Sequence, residues 1–238
     1  MLVLSRADLE RVLTPGDVIA ALEAAVALHA AGGAHVPART SVPCGDDGVL
    51  LLMPAAIGGS ALGAKLVTVY GGNRARGHPT LYASYVLMDG ATGQPQALLE
   101  GTFLTGLRTG ATSALAARHL ARADAGRVAC FGAGVQAGFQ LLCLAAGRRL
   151  ERVAVVGRDP ERARNFAALM RERLGIPVKV AGDPRRAVSE ADLVTCATTS
   201  ATPVLFGADL KPGTHVDLVG AFRPTDREAD TEAVLRAR

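Results

Sequence analysis

Lysine is nearly missing from this sequence. Of 26 basic residues only Lys65, Lys179 and Lys211 are lysines, and the rest are arginines, so each lysine draws attention. Charge imbalance is also small: a net charge of +4, with the basic residues scattered, gives no nucleic-acid footprint. The four cysteines (Cys44, Cys130, Cys143, Cys196) contain no C-x-x-C pair. That argues against a disulfide framework or zinc site and suits free thiols in a reducing cytosol. No signal peptide is legible, because charge arrives at Arg6 without a cleavage site. A cytoplasmic location is therefore expected, with no membrane partner. The one stretch long enough to query a membrane span is the uncharged run 128–147. Its Gly-Ala-Gly, Gln136 and Gln140 fit a buried strand–helix unit better.

What is present is a globular composition, 49% apolar over 238 residues, enough for one large domain or two small ones. Thr14-Pro15 with Asp17 starts a helix that Gly32-Gly33 ends. Between residues 34 and 100 the runs HVPARTSVP, GVLLLMPA, LGAKLVTVYGG, TLYASYVLMDG and PQALLEG read as strands of a mostly antiparallel sheet. Residues 103–121 read as a helix. From residue 127 strands alternate with helices, the signature of βαβ units and a parallel sheet. The predicted organisation is α/β: an α+β substrate-binding and dimerisation domain over 1–122, then a Rossmann-type dinucleotide-binding domain over 123–238 with about five strands.

The strongest motif is Gly132-Ala133-Gly134-Val135-Gln136-Ala137, a G-x-G-x-x-A placed between an apolar strand and a helix. Gly132 makes the tight turn and Gly134 lets the backbone approach a pyrophosphate. Ala137 allows close helix–strand packing, and the helix N-terminus faces the anion. The next strand ends Val156-Gly157-Arg158-Asp159, where NAD binders usually carry a carboxylate. Gly157 takes that place and Arg158 follows, so NADPH is expected in preference to NADH. The competing reading keeps Asp159 as the ribose acid.

A second constellation lies in the first domain. Arg39, Lys65, Thr80 and Arg108 each interrupt a run of apolar or small residues. Arg108 stands in a helix of Gly, Thr, Ala and Ser, where a charge needs a partner from the protein or from a ligand. Four such positions beside a dinucleotide motif point to a small anionic substrate. His78 and Tyr82 are weaker candidates.

These residues carry a resemblance. The stretches MPA, KLVTVYGGN, GHPTLYAS, LMDGATGQPQALLEG, LTGLRTGATSALAARHLA, FGAGVQA, EADLVTCATTSATPVLFG, LKPGTHVDLVGAFRP and READ are similar to the ornithine cyclodeaminase/mu-crystallin family. The resemblance implies a two-domain, homodimeric, nicotinamide-dependent oxidoreductase. It places the substrate carboxylate on Arg39 and Arg108 and the active-site lysine at Lys65. Thr80 falls near the substrate, and Thr109 joins the glycine-rich turn and Arg158 in holding the cofactor. Ornithine cyclodeaminases carry an Asp where Phe222 stands, and a phenyl ring neither accepts an ammonium's hydrogen bonds nor takes its proton. The expected activity is therefore reduction of a small cyclic imino acid, Δ1-pyrroline-2-carboxylate or Δ1-piperideine-2-carboxylate. Ornithine cyclodeamination and a non-catalytic NADPH-binding role are the alternatives. Family members continue beyond the equivalent of Arg238, so the chain reads as a C-terminally short member.

Overall fold

The computed structural model describes residues 1–221, 223 and 225–237. By its contacts the chain divides into two units, Met1–Arg108 and Thr109–Arg238. Among the described residues no single helix is long and apolar enough to cross a membrane.

The first unit begins with β1 (Leu2–Leu4), α1 (Arg6–Val12) and α2 (Pro15–Ala30). Both helices open with reciprocal caps: Ser5 and Thr14 accept from the N–H groups of Asp8 and Asp17, whose carboxylates accept from the cap N–H groups. There follow β2 (Ala34–His35), β3 (Thr40–Cys44), β4 (Gly48–Ile57), β5 (Ala61–Tyr70), β6 (Leu81–Asp89) and β7 (Pro95–Glu100). They form a seven-stranded sheet in the order β1-β7-β6-β5-β4-β2, with β3 also on β4. All pairings are antiparallel except β1 with β7, a parallel edge that the sequence pattern did not reveal.

Register decides which side chains share a face. Met53 opposes Lys65, Lys65 opposes Tyr85, and Tyr85 opposes Leu99, so these four stand in one row across the sheet. β7 runs directly into α3 (Gly101–Leu120). Glu100 starts that helix, its carboxylate accepting from the N–H groups of Thr102 and Phe103 at 2.8 Å each. The division between the units falls inside α3, after Arg108, and not at the helix end near residue 122. The cause is packing: Ala117, on the second half of α3, belongs to the core of the second unit.

That unit alternates as the sequence predicts: β8 (Arg127–Phe131), α4 (Val135–Gly147), β9 (Arg152–Val156), α5 (Pro160–Leu174), β10 (Val178–Val180), α6 (Pro184–Glu190), β11 (Leu193–Cys196), β12 (His215–Leu218) and α7 (Thr231–Leu235). The five strands are parallel in the order β10-β9-β8-β11-β12. Side chains alternate between two cores. Val128, Cys130, Val153 and Val155 pack with α4 and α5 through Leu141, Leu144, Phe166 and Met170. Ala129, Phe131, Val194 and Cys196 pack with Val188 of α6 and with Leu205. A sheet covered on both faces explains the near-continuous apolar strands. Burial pushes the thiols of Cys130 and Cys143 up to about 12, so neither is a nucleophile at neutral pH.

At the amino edge of this sheet Asp192 is 2% exposed. It accepts from Arg127 at 2.7 and 2.8 Å, from Lys211 at 3.0 Å and from Arg122 at 3.0 Å. Arg127 above all, then Lys211 and Arg122, hold its carboxyl well below the usual range.

Candidate functional site

In the first unit, Lys65 sits mid-strand on β5, half-buried. Burial first, and the charge of Arg108 second, push its ammonium down to about 8. Burial likewise lowers the guanidinium of Arg108 on α3. Among the described residues no carboxylate pairs with Lys65. A partly desolvated ammonium beside a second cation is unfavourable, and an anion bound at the lysine would relieve it.

Arg39 lies exposed in the loop just before β3. Since Thr40 opposes Leu52, Arg39 falls at the level of Met53, the neighbour of Lys65. Thr80 is not brought to this place. It is exposed, and its carbonyl accepts from Tyr70 N–H at 2.9 Å, at the far end of β5. Five residues separate Tyr70 from Lys65, roughly 17 Å of strand. His78 is exposed in the same loop. Tyr82 points to the sheet face opposite Lys65, three residues from Tyr85, and is 46% exposed.

The tyrosine that does share the Lys65 row is Tyr85, which sequence reasoning missed. A Cβ on Gly63 would collide with its hydroxyl, so the phenol lies over Gly63, and burial raises its pKa. The alternation in LYASYVLM was the available signal, but spacing could not tell which tyrosine would face the lysine.

In the second unit, the turn after β8 fits a dinucleotide. Gly132 has φ 110°, and a Cβ there would lie 2.5 Å from the Ala197 carbonyl oxygen. Only glycine satisfies both conditions. Gly134 is the N-cap of α4, and no side chain caps that helix, whereas α1, α2, α5, α6 and α7 are each capped by Ser, Thr or Asp. Val135, the first residue of α4, is 76% exposed, Gln136 follows it, and Ala137 is fully buried against the sheet. The carbonyl of Thr109, the first residue of this unit, accepts from Gln140 of α4 at 3.4 Å. An uncapped helix end beside a glycine turn at the carboxyl edge of a parallel sheet is the arrangement that takes a pyrophosphate. It lies where the strand order reverses, between β8 and β11.

At the end of β9, Arg158 is exposed and makes no ion pair among the described residues. Asp159 is engaged otherwise: it caps α5, accepting from Arg162 N–H at 3.0 Å. A further cation, Arg162, escaped sequence reasoning. Its Nε donates to the Ala133 carbonyl at 3.0 Å, placing a guanidinium against the glycine-rich turn. Phe222 lies outside the described residues.

Comparison with known proteins bears on both places. The family model for the ornithine cyclodeaminase/mu-crystallin family matches residues 1–238. A Δ1-pyrroline-2-carboxylate reductase of Bacillus cereus is 37% identical across 100% of this chain and 73% of that protein.

The chain belongs to the ornithine cyclodeaminase/mu-crystallin family.

Its family resemblance extends to structure. The Thermococcus litoralis Δ1-pyrroline-2-carboxylate reductase, in complex with NADH and L-proline, superposes with a TM-score of 0.94 at 39% identity. The match covers 98% of this chain and 73% of that one. An archaeal alanine dehydrogenase dimer with bound NAD gives 0.93 at 32% identity, covering 100% and 73%. As a family member, the chain is an oxidoreductase fold built for a nicotinamide cofactor.

Proposed function

We propose that this protein reduces the C=N bond of a small cyclic imino acid, Δ1-pyrroline-2-carboxylate or its six-membered homologue. The observation that carries the reading is the pair Lys65–Arg108, two half-buried cations with no carboxylate on the lysine. Arg108 and Lys65 hold the substrate carboxylate, and Arg39 closes on it from the neighbouring loop. The nicotinamide, when bound, supplies the hydride to the ring carbon. The ring nitrogen then needs one proton, and Lys65, with a pKa near 8, is an ammonium able to give it up at neutral pH. Tyr85 shares that row, its phenol lying over Gly63. The L-proline and NADH in the Thermococcus relative's structure are the product and cofactor of this chemistry.

Thr109, Gly132, Gly134, Val135, Gln136 and Ala137 make the cofactor's pyrophosphate site in this reading, and Arg158 its adenosine site. With Asp159 engaged as a helix cap, Arg158 is the group left to meet the adenosine ribose, which favours NADPH over NADH. A homodimer is supported by the sheet face opposite Lys65. There Leu50, Leu52, Leu62, Leu66, Val86 and Met88 are all incompletely buried.

The test is oxidation of NADPH and NADH by purified protein with each imine. Imine-dependent oxidation, faster with NADPH, is expected. Cofactor binding without imine turnover, alongside ammonia release from ornithine, would replace this reading with cyclodeamination.

A further inference from the structure

Glu228 is a buried carboxylate that neither the cofactor motif nor the substrate clamp uses. It is 2% exposed, outside any helix or strand, in the segment between β12 and α7. No cation neutralises it among the described residues; its partners are backbone and hydroxyl donors. One oxygen accepts from the Thr198 N–H and the Thr198 hydroxyl, both at 2.7 Å. The other accepts from the Gly220 N–H at 2.7 Å. Glu228's own carbonyl accepts from Val204 and Leu205 at 2.8 and 3.0 Å, which anchors the carboxylate from behind.

Thr198 and Gly220 are the residues that continue β11 and β12 past their carboxyl ends. Gly220 is packed so closely that a Cβ there would collide with Thr198 backbone and with the Glu228 carboxylate. Ala197, one residue before Thr198, is the residue whose carbonyl closes on the Gly132 turn. One carboxylate therefore ties two loops together, and the first of those loops abuts the glycine-rich turn.

The direction of the cofactor follows from strand order. The pyrophosphate belongs at Gly132–Val135 after β8, and the adenosine ribose at the end of β9. The other half of a dinucleotide then extends over the opposite side of the switch point, above the ends of β11 and β12. We propose that Glu228 is a positioning residue for the nicotinamide half of the cofactor, setting the Ala197–Thr198 and Gly220 loops at the width that half requires. Glu228 touches no reacting atom and acts through the two loops. The inference rests on the cofactor reading above.

The test compares a whole cofactor with its adenosine half. Dissociation constants are measured by calorimetry for NADPH and for 2′,5′-ADP (NADH and ADP if NADH binds better) on wild type, Glu228→Gln and Thr198→Val. The glutamine keeps the shape of the side chain but turns an NH2 towards an N–H donor. Loss of a charge-assisted hydrogen bond of this kind weakens binding roughly ten- to hundredfold when the geometry it fixes is the binding site. The expected result is that loss for the dinucleotide in Glu228→Gln, with the adenosine half within about twofold of wild type. Thr198→Val removes the hydroxyl, which donates to Glu228 and accepts a longer 3.3 Å bond from the Ser200 N–H, keeps the Thr198 N–H, and gives the same pattern at about three- to tenfold. It decides the matter if the glutamine variant does not fold. Equal weakening of both ligands, or no weakening of the dinucleotide, would overturn the role of Glu228. Wild-type protein that binds neither ligand would instead overturn the cofactor reading itself.

Discussion

Two groups of cations in this chain have opposite fates. At the amino edge of the parallel sheet, Arg122, Arg127 and Lys211 converge on the buried carboxylate of Asp192 at 2.7 to 3.0 Å. In the mixed sheet, Lys65 meets another cation, Arg108, and among the described residues no carboxylate pairs with the lysine. The first group is complete as folded and fastens β8, β11 and the segment before β12. In the proposed function the second gains its carboxylate from the substrate, at Lys65. The first holds the fold together and the second is the proposed substrate site, although both consist of partly buried basic side chains.

Substitution at Lys65 or Arg108 should cost the most activity. Lys65→Met and Arg108→Ala should each lower imine reduction about 10³-fold with cofactor affinity retained, read from steady-state rates and a cofactor titration. Near-full activity in both would show that the anion binds elsewhere. The complete cluster should fail in the other currency. Asp192→Asn leaves three cations without their carboxylate and should cost about 3 kcal/mol, lowering Tm by roughly 6–12 °C. A smaller effect is expected at the edge of the cofactor site. Arg158→Ala should weaken NADPH about tenfold in KM while changing NADH little.

The smallest effect carries the opposite sign. The folded pKa of Lys65 lies near 8, below its ordinary 10.5, so between those values the unfolded chain binds more protons. Stability therefore rises as pH goes from about 8 to about 10.5, and below 8 the charged lysine opposes folding. Lys65→Met should remove that burden. Water still screens the half-buried ammonium, so the gain at pH 7 is about 1 kcal/mol, measurable by denaturant titration. An inactive variant more stable than wild type is the signature of a functional charge.

Much of this was legible in the sequence because the signals are local. Thr14 with Asp17 and the Gly132–Ala137 turn each state their geometry within six residues, and each folds as read. The alternation of strands and helices after residue 127 likewise gives the parallel sheet and its switch point. What escaped is set by register and by distant packing. β1 is too short for any periodicity and acquires its partner, β7, from far along the chain. Thr80 and Tyr82 sit in the same run as Tyr85, yet only pairing with β5 shows that Tyr85 faces Lys65. Glu228 looks like one acid among the charged residues of READ. Its burial follows from two loops that meet it from 30 and 8 residues away.

In the proposed function a substrate carboxylate binds beside the Lys65 ammonium. Calorimetry of pyrrole-2-carboxylate binding at pH 8.5, in two buffers of different ionisation enthalpy, reports whether it does. A lysine with a pKa near 8 is largely neutral there, and a bound carboxylate recharges it. Wild type should take up roughly half a proton or more per ligand bound, and Lys65→Met none. Binding without proton uptake, or uptake that persists in Lys65→Met, would show that the carboxylate does not bind at Lys65.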